Sequence, residues 1–315
     1  GLTEKTTRAR LNLLDQYLQE HQLGCIQRKT RIGVWLEMTA GKEPEVIDLI
    51  ADTTGTTLYN AQSSFAKMIK LFLLRPGDTL LSVTGRPYDT LNDVIGIEKP
   101  TPGSLVEWGI SYKEIPLKNE EKIDFDLLNK ALNDKNIRVI FVQRSRGYTW
   151  RKSLSIDDIS SLVKYVKDKR EDILILVDNC YCEFAEDVEP PSVGVDLTVG
   201  SLIKNPGGGI APTGAYATGT EHAIKLMENR LTSPGIGREV GSYSFGYSLF
   251  YQGLFMAPHI VEQALKGATL FAHVFKKLGY RVMPEPSEIR SDIVQSIELK
   301  NEDELIAFCQ TIQAT

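Results

Sequence analysis

The sequence predicts an α/β fold built on a mostly parallel sheet. Two continuous apolar runs, IRVIFVQ at 137–143 and ILILVD at 173–178, have the length of buried strands, and a segment with helical apolar spacing lies between them. Strand, helix and strand in this order form a βαβ unit, whose strands run parallel and are covered on both faces. We therefore expect helices on both faces of the sheet.

Further predicted elements extend this unit in both directions. Before it, SSFAKMIKLFLL has helical spacing, RPGD predicts a turn, and TLLSVT predicts a short strand. The helix inside the unit begins at Ser155, three residues before Asp158, in the pattern of a capping box. After the unit, strands are predicted at 196–200 and 214–219, followed by a helix through EHAIKLMENRL.

The chain divides into three predicted parts. Residues 1–58 are predicted to form an amphipathic helical segment, and residues 59–235 the large α/β domain. Residues 236–315 begin with a long helical stretch, predicted to break near Pro258, and continue as strand, strand and helix. We expect this last part to be a linking helix and a small, incomplete C-terminal α+β domain.

Composition favours a protein that acts on small molecules. The 315 residues are 42% hydrophobic and 24% charged, with a net charge of −5, so no basic excess favours nucleic acid or an anionic membrane. No apolar run approaches the roughly 18 residues of a membrane span, and we expect a cytoplasmic protein. Four cysteines and four histidines form neither a disulfide framework nor a metal site.

Asp178 stands at the end of the second apolar strand. Ligands of open parallel sheets bind beyond the carboxyl ends of the strands, so this carboxylate is predicted to lie at the mouth of the sheet. A pyridinium nitrogen is one partner that such a carboxylate can hold protonated. An aspartate that caps a turn or the next helix fits the same position equally well.

Lys204 follows DLTVGSLI and precedes NPGGG. A lysine joined to a carbonyl cofactor needs close access to the ring, and glycines allow close approach without side-chain bulk. A phosphate-binding loop does not fit, because a Walker lysine follows its glycines and a dinucleotide fingerprint needs Gly-x-Gly-x-x-Gly. A solvated lysine beside a flexible loop is the remaining alternative.

Two other stretches follow predicted strands. In TGRPYDT, Tyr88 comes after a turn, where its ring can stack on another flat ring. In QRSRGYTWR, Arg144, Arg146 and Arg151 come directly after a strand, and arginine suits bidentate binding of carboxylate or phosphate. Taken singly, each is as well explained by a turn tyrosine and a solvated basic loop, but both fall at strand ends of one sheet.

The motifs VDNCYCEF and GSLIKNPGGGIAPTG, with RPGDTLLSVTGRPYDTL, VIFVQRSRGYTWR and LFYQGLFMAPHIV, resemble the aluminium-resistance family of predicted carbon–sulfur lyases. That family is related to methionine γ-lyase and the cystathionine enzymes of Cys/Met metabolism, which are pyridoxal 5'-phosphate (PLP) proteins of fold type I. The likeness covers about residues 70 to 310. It implies the PLP-dependent transferase fold, PLP as cofactor, and a homodimer or homotetramer that buries the apolar LFYQGLFMAPHIV stretch.

The resemblance also implies roles for single residues. Lys204 would join covalently to the cofactor, Asp178 would pair with its ring nitrogen, Tyr88 would stack on the ring, and Ser201 would bind the phosphate. The family has a Ser-Gly-Thr-type turn at the helix that holds the phosphate; this chain reads NAQSSFAKM there, which leaves Ser63 and Ser64 as candidates. Arg144 and Arg146 are the candidates for substrate binding, and Cys182 stands where the family has glycine.

The function implied is elimination of a thiol from a sulfur-containing amino acid, with Lys204 moving the α-proton and Tyr88 helping to protonate the leaving thiolate. Two alternatives stay open. One is an aminotransferase on the same fold, because a fold does not fix a reaction. The other is a homologue that has lost the chemistry and serves as a binding or scaffold protein.

Overall fold

The structure is a computed structural model. It describes residues 73–231 and 246–314, the strand segments 24–29 and 33–38, and a few single positions elsewhere: 12, 15, 16, 18–20, 22 and 236. The chain forms two compact units, Gly1–Tyr59 and Asn60–Thr315. The predicted further boundary at residue 236 stays a prediction.

In the second unit, six strands form one mostly parallel sheet: β3 (Thr79–Ser82), β4 (Ser111–Glu114), β5 (Ile137–Gln143), β6 (Leu174–Asp178), β7 (Leu197–Ser201) and β8 (Ala215–Gly219). Their spatial order is β4-β3-β5-β6-β7-β8. All neighbouring pairs are parallel except β7 and β8, which are antiparallel. The α/β prediction with a mostly parallel sheet is confirmed.

Four helices accompany these strands: α1 (Asp89–Ile95), α2 (Phe125–Ala131), α3 (Ile156–Lys167) and α4 (Glu221–Leu231). Successive strand residues point to opposite faces of the sheet, and each face has its own apolar core. On one face Leu80, Val139 and Leu176 pack with Leu91 of α1 and Met227 of α4. The alternate strand residues form the other core with α2 and α3. Helices therefore cover both faces.

The helix α3 shows why local sequence and tertiary packing agree in this domain. Ser155 accepts a hydrogen bond from the Asp158 backbone N–H, and the Asp158 carboxylate accepts one from the Ser155 backbone, which is the predicted capping box. The apolar positions of the helix, Ile159, Leu162 and Val166, are fully buried against the sheet. The cap and the apolar stripe together fix the helix beside β5 and β6.

The C-terminal part contains a long helix, two short strands and a last helix: α5 (Ser248–Lys277), β9 (Arg281–Met283), β10 (Ser296–Glu298) and α6 (Glu302–Gln313). The strands pair antiparallel, and the Phe275 ring of α5 meets the Phe308 ring of α6 edge to face at 5.8 Å. The predicted break near Pro258 was wrong, since α5 is continuous through it. Pro258 is exposed, so water can satisfy the carbonyl that loses its helical N–H partner.

In the first unit, residues 24–29 and 33–38 differ from the helical prediction. β1 (Gly24–Lys29) and β2 (Gly33–Met38) are strands that pair antiparallel. Val34, Trp35 and Leu36 form a short run rich in residues that favour strands, and antiparallel pairing satisfies their backbone groups. Within the described residues, none of the helices is long and apolar enough to cross a membrane.

Candidate active site

Three neighbouring strands bring their carboxyl ends to one edge of the sheet. Gln143 ends β5, Asp178 ends β6 and Ser201 ends β7. Gln143 lies in register with Asp178, and Asp178 lies in register with Val199. This is the edge at which parallel α/β sheets bind ligands, and it carries most of the predicted site residues.

Asp178 is almost fully buried, with 3% of its surface exposed. Its Oδ1 accepts a hydrogen bond from the Cys180 backbone N–H at 3.0 Å. Burial raises the pKa of the carboxyl, and the Cys180 hydrogen bond and the charge of Lys204 oppose that rise. A buried carboxylate of this kind gains from a cationic partner, because burial penalises its charge as long as that charge is unpaired.

Lys204 directs its ammonium group toward the same place. Its Nζ lies 4.2 Å from the centre of the Tyr181 ring, within the range of a cation–π contact. Burial lowers the pKa of Lys204, but the nearby Cys180, Tyr181 and Asp178 together outweigh that effect and raise it. The charges of Asp178 and Lys204 thus affect each other's pKa, and their joint role in one cofactor site stays a prediction.

Tyr88 stands across from these groups at the start of α1. Its backbone N–H donates to Gln143 Oε1 at 3.1 Å, which ties the turn after β3 to the end of β5. The side chain is half-buried. Burial, and then the charge of Asp178, raise the pKa of the phenol, so the hydroxyl keeps its proton at neutral pH.

Tyr88 and Lys204 line a common cavity. It has a volume of about 580 Å³, and Tyr88, Cys180, Tyr181, Ser201 and Lys204 are among its lining residues. A smaller space of about 230 Å³ shares four of these residues and adds Gln143 and Asp178. Ser201 is 6% exposed, and its Oγ has no hydrogen-bond partner within the described part of the chain.

The two arginines predicted to bind substrate are both fully buried. Arg144 is fully buried and its guanidinium donates to Leu154 O at 3.1 Å, Asn179 Oδ1 at 2.8 Å and Glu186 Oε1 at 2.5 Å. These bonds occupy its donors and tie loops of the interior together. Substrate binding by Arg144 stays a prediction, and it would require the guanidinium to give up its ion pair with Glu186.

Arg146 is also fully buried, and one of its terminal nitrogens donates to Met283 O and to Ser296 Oγ. Burial lowers the pKa of its guanidinium. Its Nε and second terminal nitrogen have no partner within the described chain, although Arg146 is not among the cavity-lining residues. Substrate binding by Arg146 stays a prediction. Ser63 and Ser64 lie outside the described residues.

The glycines after Lys204 serve a different contact from the predicted one. A Cβ at Gly207 would collide with Leu202 O, and one at Gly208 would collide with the backbone of Gly253 in α5. The lack of a side chain makes room for the Leu202 carbonyl at Gly207 and lets the loop pack on α5 at Gly208. Gly209 alone of the three lines the cavity.

Sequence reasoning missed three residues of the site: Gln143, Cys180 and Tyr181. Tyr181 has a φ of 71°, which brings its ring under Lys204. This left-handed conformation is uncommon for a bulky residue and depends on tertiary contacts. Gln143 could have been identified from the sequence, because it is the polar last residue of an apolar strand.

Residues 61–315 match the family model of methionine gamma-lyase. The chain belongs to the methionine gamma-lyase family. The match covers the whole sheet, the cavity and the C-terminal part.

Relatives within this family are similar over most of the chain. YnbB of Bacillus subtilis is 47% identical over 247 residues, which cover 78% of this chain and 58% of that protein. A carbon-sulfur lyase involved in aluminum resistance from Clostridium novyi is 42% identical, with a TM-score of 0.77, covering 96% of this chain and 74% of that one. A Clostridium acetobutylicum structure, provisionally named a cystathionine beta-lyase involved in aluminum resistance, is 44% identical with a TM-score of 0.75, covering 79% and 59%.

The chain thus spans about three fifths of the length of YnbB and of the Clostridium acetobutylicum protein. The resemblance to the aluminium-resistance family is confirmed by their names. A more distant structure, a methionine gamma lyase from Micromonospora echinospora, is 15% identical with a TM-score of 0.53. That likeness concerns the fold alone.

Proposed function

We propose that this protein binds PLP through Lys204 and acts as a carbon–sulfur lyase on a sulfur-containing amino acid. The observation that carries the proposal is the position of Lys204, which lines two cavities at the carboxyl edge of the sheet, one with Ser201 and the other with Asp178. The names of the 42% and 44% identical relatives favour lyase chemistry over other reactions of this fold.

The residues present fit the cofactor. The buried Ser201 Oγ has no partner in the described chain, and a phosphate oxygen is an acceptor for its hydrogen. The buried Asp178 carboxylate suits a protonated ring nitrogen, since a charged partner offsets the cost of burial. A cavity of about 580 Å³ falls within the range of small-molecule and cofactor sites.

Lys204 has two tasks in this scheme. When bound, PLP supplies an electron sink beside the α-carbon of the amino acid. Because the pKa of Lys204 is raised by Cys180, Tyr181 and Asp178 against the opposing effect of burial, Nζ carries a proton at neutral pH and must release it to join the cofactor. With the substrate amine in its place, the neutral Nζ would be able to take the α-proton as general base.

Asp178 and Tyr88 would act on either side of that step. Asp178 would hold a proton at the ring nitrogen, where the carboxylate gains an ionic partner. Tyr88 keeps its phenolic proton because burial and Asp178 raise its pKa, so its hydroxyl can donate to the departing thiolate. Loss of the thiol would leave an unsaturated product that water converts to a keto acid and ammonia.

The test is release of thiol from L-cystathionine or L-methionine by PLP-loaded protein, without an added amino acceptor. A lyase releases thiol under these conditions, and Lys204→Ala abolishes the release. The exposed Lys164→Ala on α3 is the matched control and keeps it. Amino transfer that requires a keto acid would support the aminotransferase alternative. Failure to retain PLP at all would support a non-catalytic binding protein.

We also propose that the protein forms a homodimer or homotetramer through the N-terminal half of α5. Large apolar side chains are exposed there, among them Tyr251 at 71% and Phe255 at 84%. Exposed apolar patches of this kind mark association surfaces. Sedimentation velocity tests the proposal, and Phe255→Glu is expected to yield monomers. A wild-type protein that is itself monomeric would count against it.

A further inference from the structure

A second cavity, of about 280 Å³, lies behind the strand that carries Ser201. Gly200 of β7 lines the cavity of about 580 Å³ at the candidate active site. On its other side, a Cβ on Gly200 would collide with the Glu183 carboxyl group and the Tyr216 ring. Glu183 and Tyr216 line the second cavity. The two cavities therefore share β7 as a wall and present different side chains.

Two residues that line the second cavity each have a buried polar atom with no partner within the described residues. Glu183 is 3% exposed; its Oε1 accepts from Tyr216 Oη at 2.9 Å, and its Oε2 is unpartnered. Thr198 is 1% exposed, and its Oγ1 is also unpartnered. Buried polar groups almost always have partners, so each of these atoms calls for a ligand or an equivalent contact.

The remaining lining defines the charge of that ligand. Glu189 adds a second carboxyl group, while no lysine or arginine occurs among the described residues that line this cavity. The Asn179 amide is already used, since its Nδ2 donates to Glu189 Oε2 at 2.8 Å and its Oδ1 accepts from Arg144. Apolar side chains, including Leu202 and Leu254, form most of the other walls.

We propose that this cavity binds a small organic cation with N–H donors and a short alkyl group, such as an alkylguanidinium ion. Its N–H groups bond to Glu183 Oε2 and Thr198 Oγ1, and its alkyl group lies against Leu202 and Leu254. The site is separate from the proposed lyase centre and requires neither PLP nor lyase activity.

The electrostatics of Glu183 agree with a cationic ligand. Burial, above all, raises the pKa of Glu183 to about 8, and the charges of Asp178 and Glu189 add to the rise, while the Tyr216 hydrogen bond opposes it. A cation beside Oε2 supplies the opposite charge that the buried carboxylate needs. At neutral pH the incoming cation replaces the carboxyl proton, so proton release accompanies binding.

Calorimetric titration of the full chain with ethylguanidinium and with the neutral, similarly shaped ethylurea tests the proposal. We expect ethylguanidinium to bind with a Kd in the millimolar range or below, and ethylurea at least about tenfold more weakly. Glu183→Gln should weaken ethylguanidinium binding at least about tenfold. The same substitution at the exposed Glu171 is the matched control and should leave binding unchanged.

Saturating PLP should leave ethylguanidinium binding unchanged, because the two cavities differ. Equal binding of the two ligands, unaltered binding by Glu183→Gln, abolition by PLP, or no binding at all would each overturn the proposal. If Glu183→Gln fails to fold, Thr198→Val is the second variant, and it should weaken the cation several-fold by removing one acceptor. Unchanged affinity in folded Thr198→Val would then count against the site.

Discussion

Replacing Asp178 by asparagine separates the two consequences of burying a carboxylate at the mouth of the sheet. Asparagine has nearly the same shape, and its Oδ1 can still accept the hydrogen bond from the Cys180 backbone N–H, which is 3.0 Å long. The substitution therefore removes the charge and little else. We expect it to weaken PLP binding and to stabilise the protein without PLP.

The loss of affinity follows from the burial of Asp178. With 3% of its surface exposed, the carboxylate would meet the ring nitrogen away from water. A hydrogen bond to a charged group contributes about 1.5–3 kcal/mol, which corresponds to about a ten- to 150-fold rise in Kd. An amide cannot hold the nitrogen protonated, so the lyase rate of the remaining complex should fall as well.

The expected gain in stability of the PLP-free Asp178→Asn protein comes from removing a buried charge. Because burial raises the pKa of Asp178, the ionised carboxylate destabilises the folded protein without cofactor. That penalty is absent below the pKa of the unfolded chain, grows as pH rises toward the folded pKa, and persists above it. Each unit of rise in pKa corresponds to about 1.4 kcal/mol. Asp178→Asn should thus raise the melting temperature at neutral pH and leave it nearly unchanged in acid.

Both effects can be measured on the same samples. PLP binding is followed by equilibrium titration, and unfolding by calorimetry at acid and neutral pH with PLP absent. Wild-type affinity in a folded Asp178→Asn protein would refute the pairing of Asp178 with the cofactor. A lower melting temperature at neutral pH would refute the assignment of a buried, unpaired carboxylate.

Three further predictions rest on buried polar groups. Ser201→Ala should raise the Kd for PLP about tenfold or more. The melting temperature without PLP should not change, because Ser201 Oγ has no partner in the described chain. Unchanged affinity in an equilibrium titration would exclude Ser201 from the phosphate site. Arg144→Met should lower the free energy of unfolding in urea by about 3 kcal/mol, since it leaves Glu186 without its ion-pair partner and Asn179 Oδ1 without its donor. A raised KM at unchanged stability would instead support the substrate role of Arg144. Burial is the main cause that raises the pKa of Glu183 from 4.5 to about 8. The wild type should therefore lose stability, on the order of a few kcal/mol, as pH rises from 4.5 to about 8. Equal dependence of the free energy of unfolding on pH in wild type and Glu183→Gln would contradict this.

The central strands of the sheet were predictable from sequence because they are buried on both faces. The runs 137–143 and 173–178 are continuously apolar, and the structure forms strands at Ile137–Gln143 and Leu174–Asp178. A strand of this kind needs no information from distant residues to be recognised. The same holds for α3, whose capping box and apolar stripe are both local.

Residues whose role depends on distant partners were not accessible in this way. QRSRGYTWR predicts a basic loop, but Arg144 reaches Glu186, 42 residues further along the chain. Gly208 has no room for a side chain because of Gly253, which follows about 45 residues later in α5. Tyr181 reaches Lys204 only through its left-handed backbone. Composition and spacing carry no information on such pairings.

The most direct test of PLP binding at Lys204 is to locate the covalent bond. The protein is loaded with PLP, reduced with borohydride and digested, and the modified lysine is identified by mass spectrometry. We predict modification at Lys204, and its loss in Lys204→Arg but not in Lys164→Ala. Modification spread over exposed lysines, or equal modification of Lys204→Arg and wild type, would contradict the site.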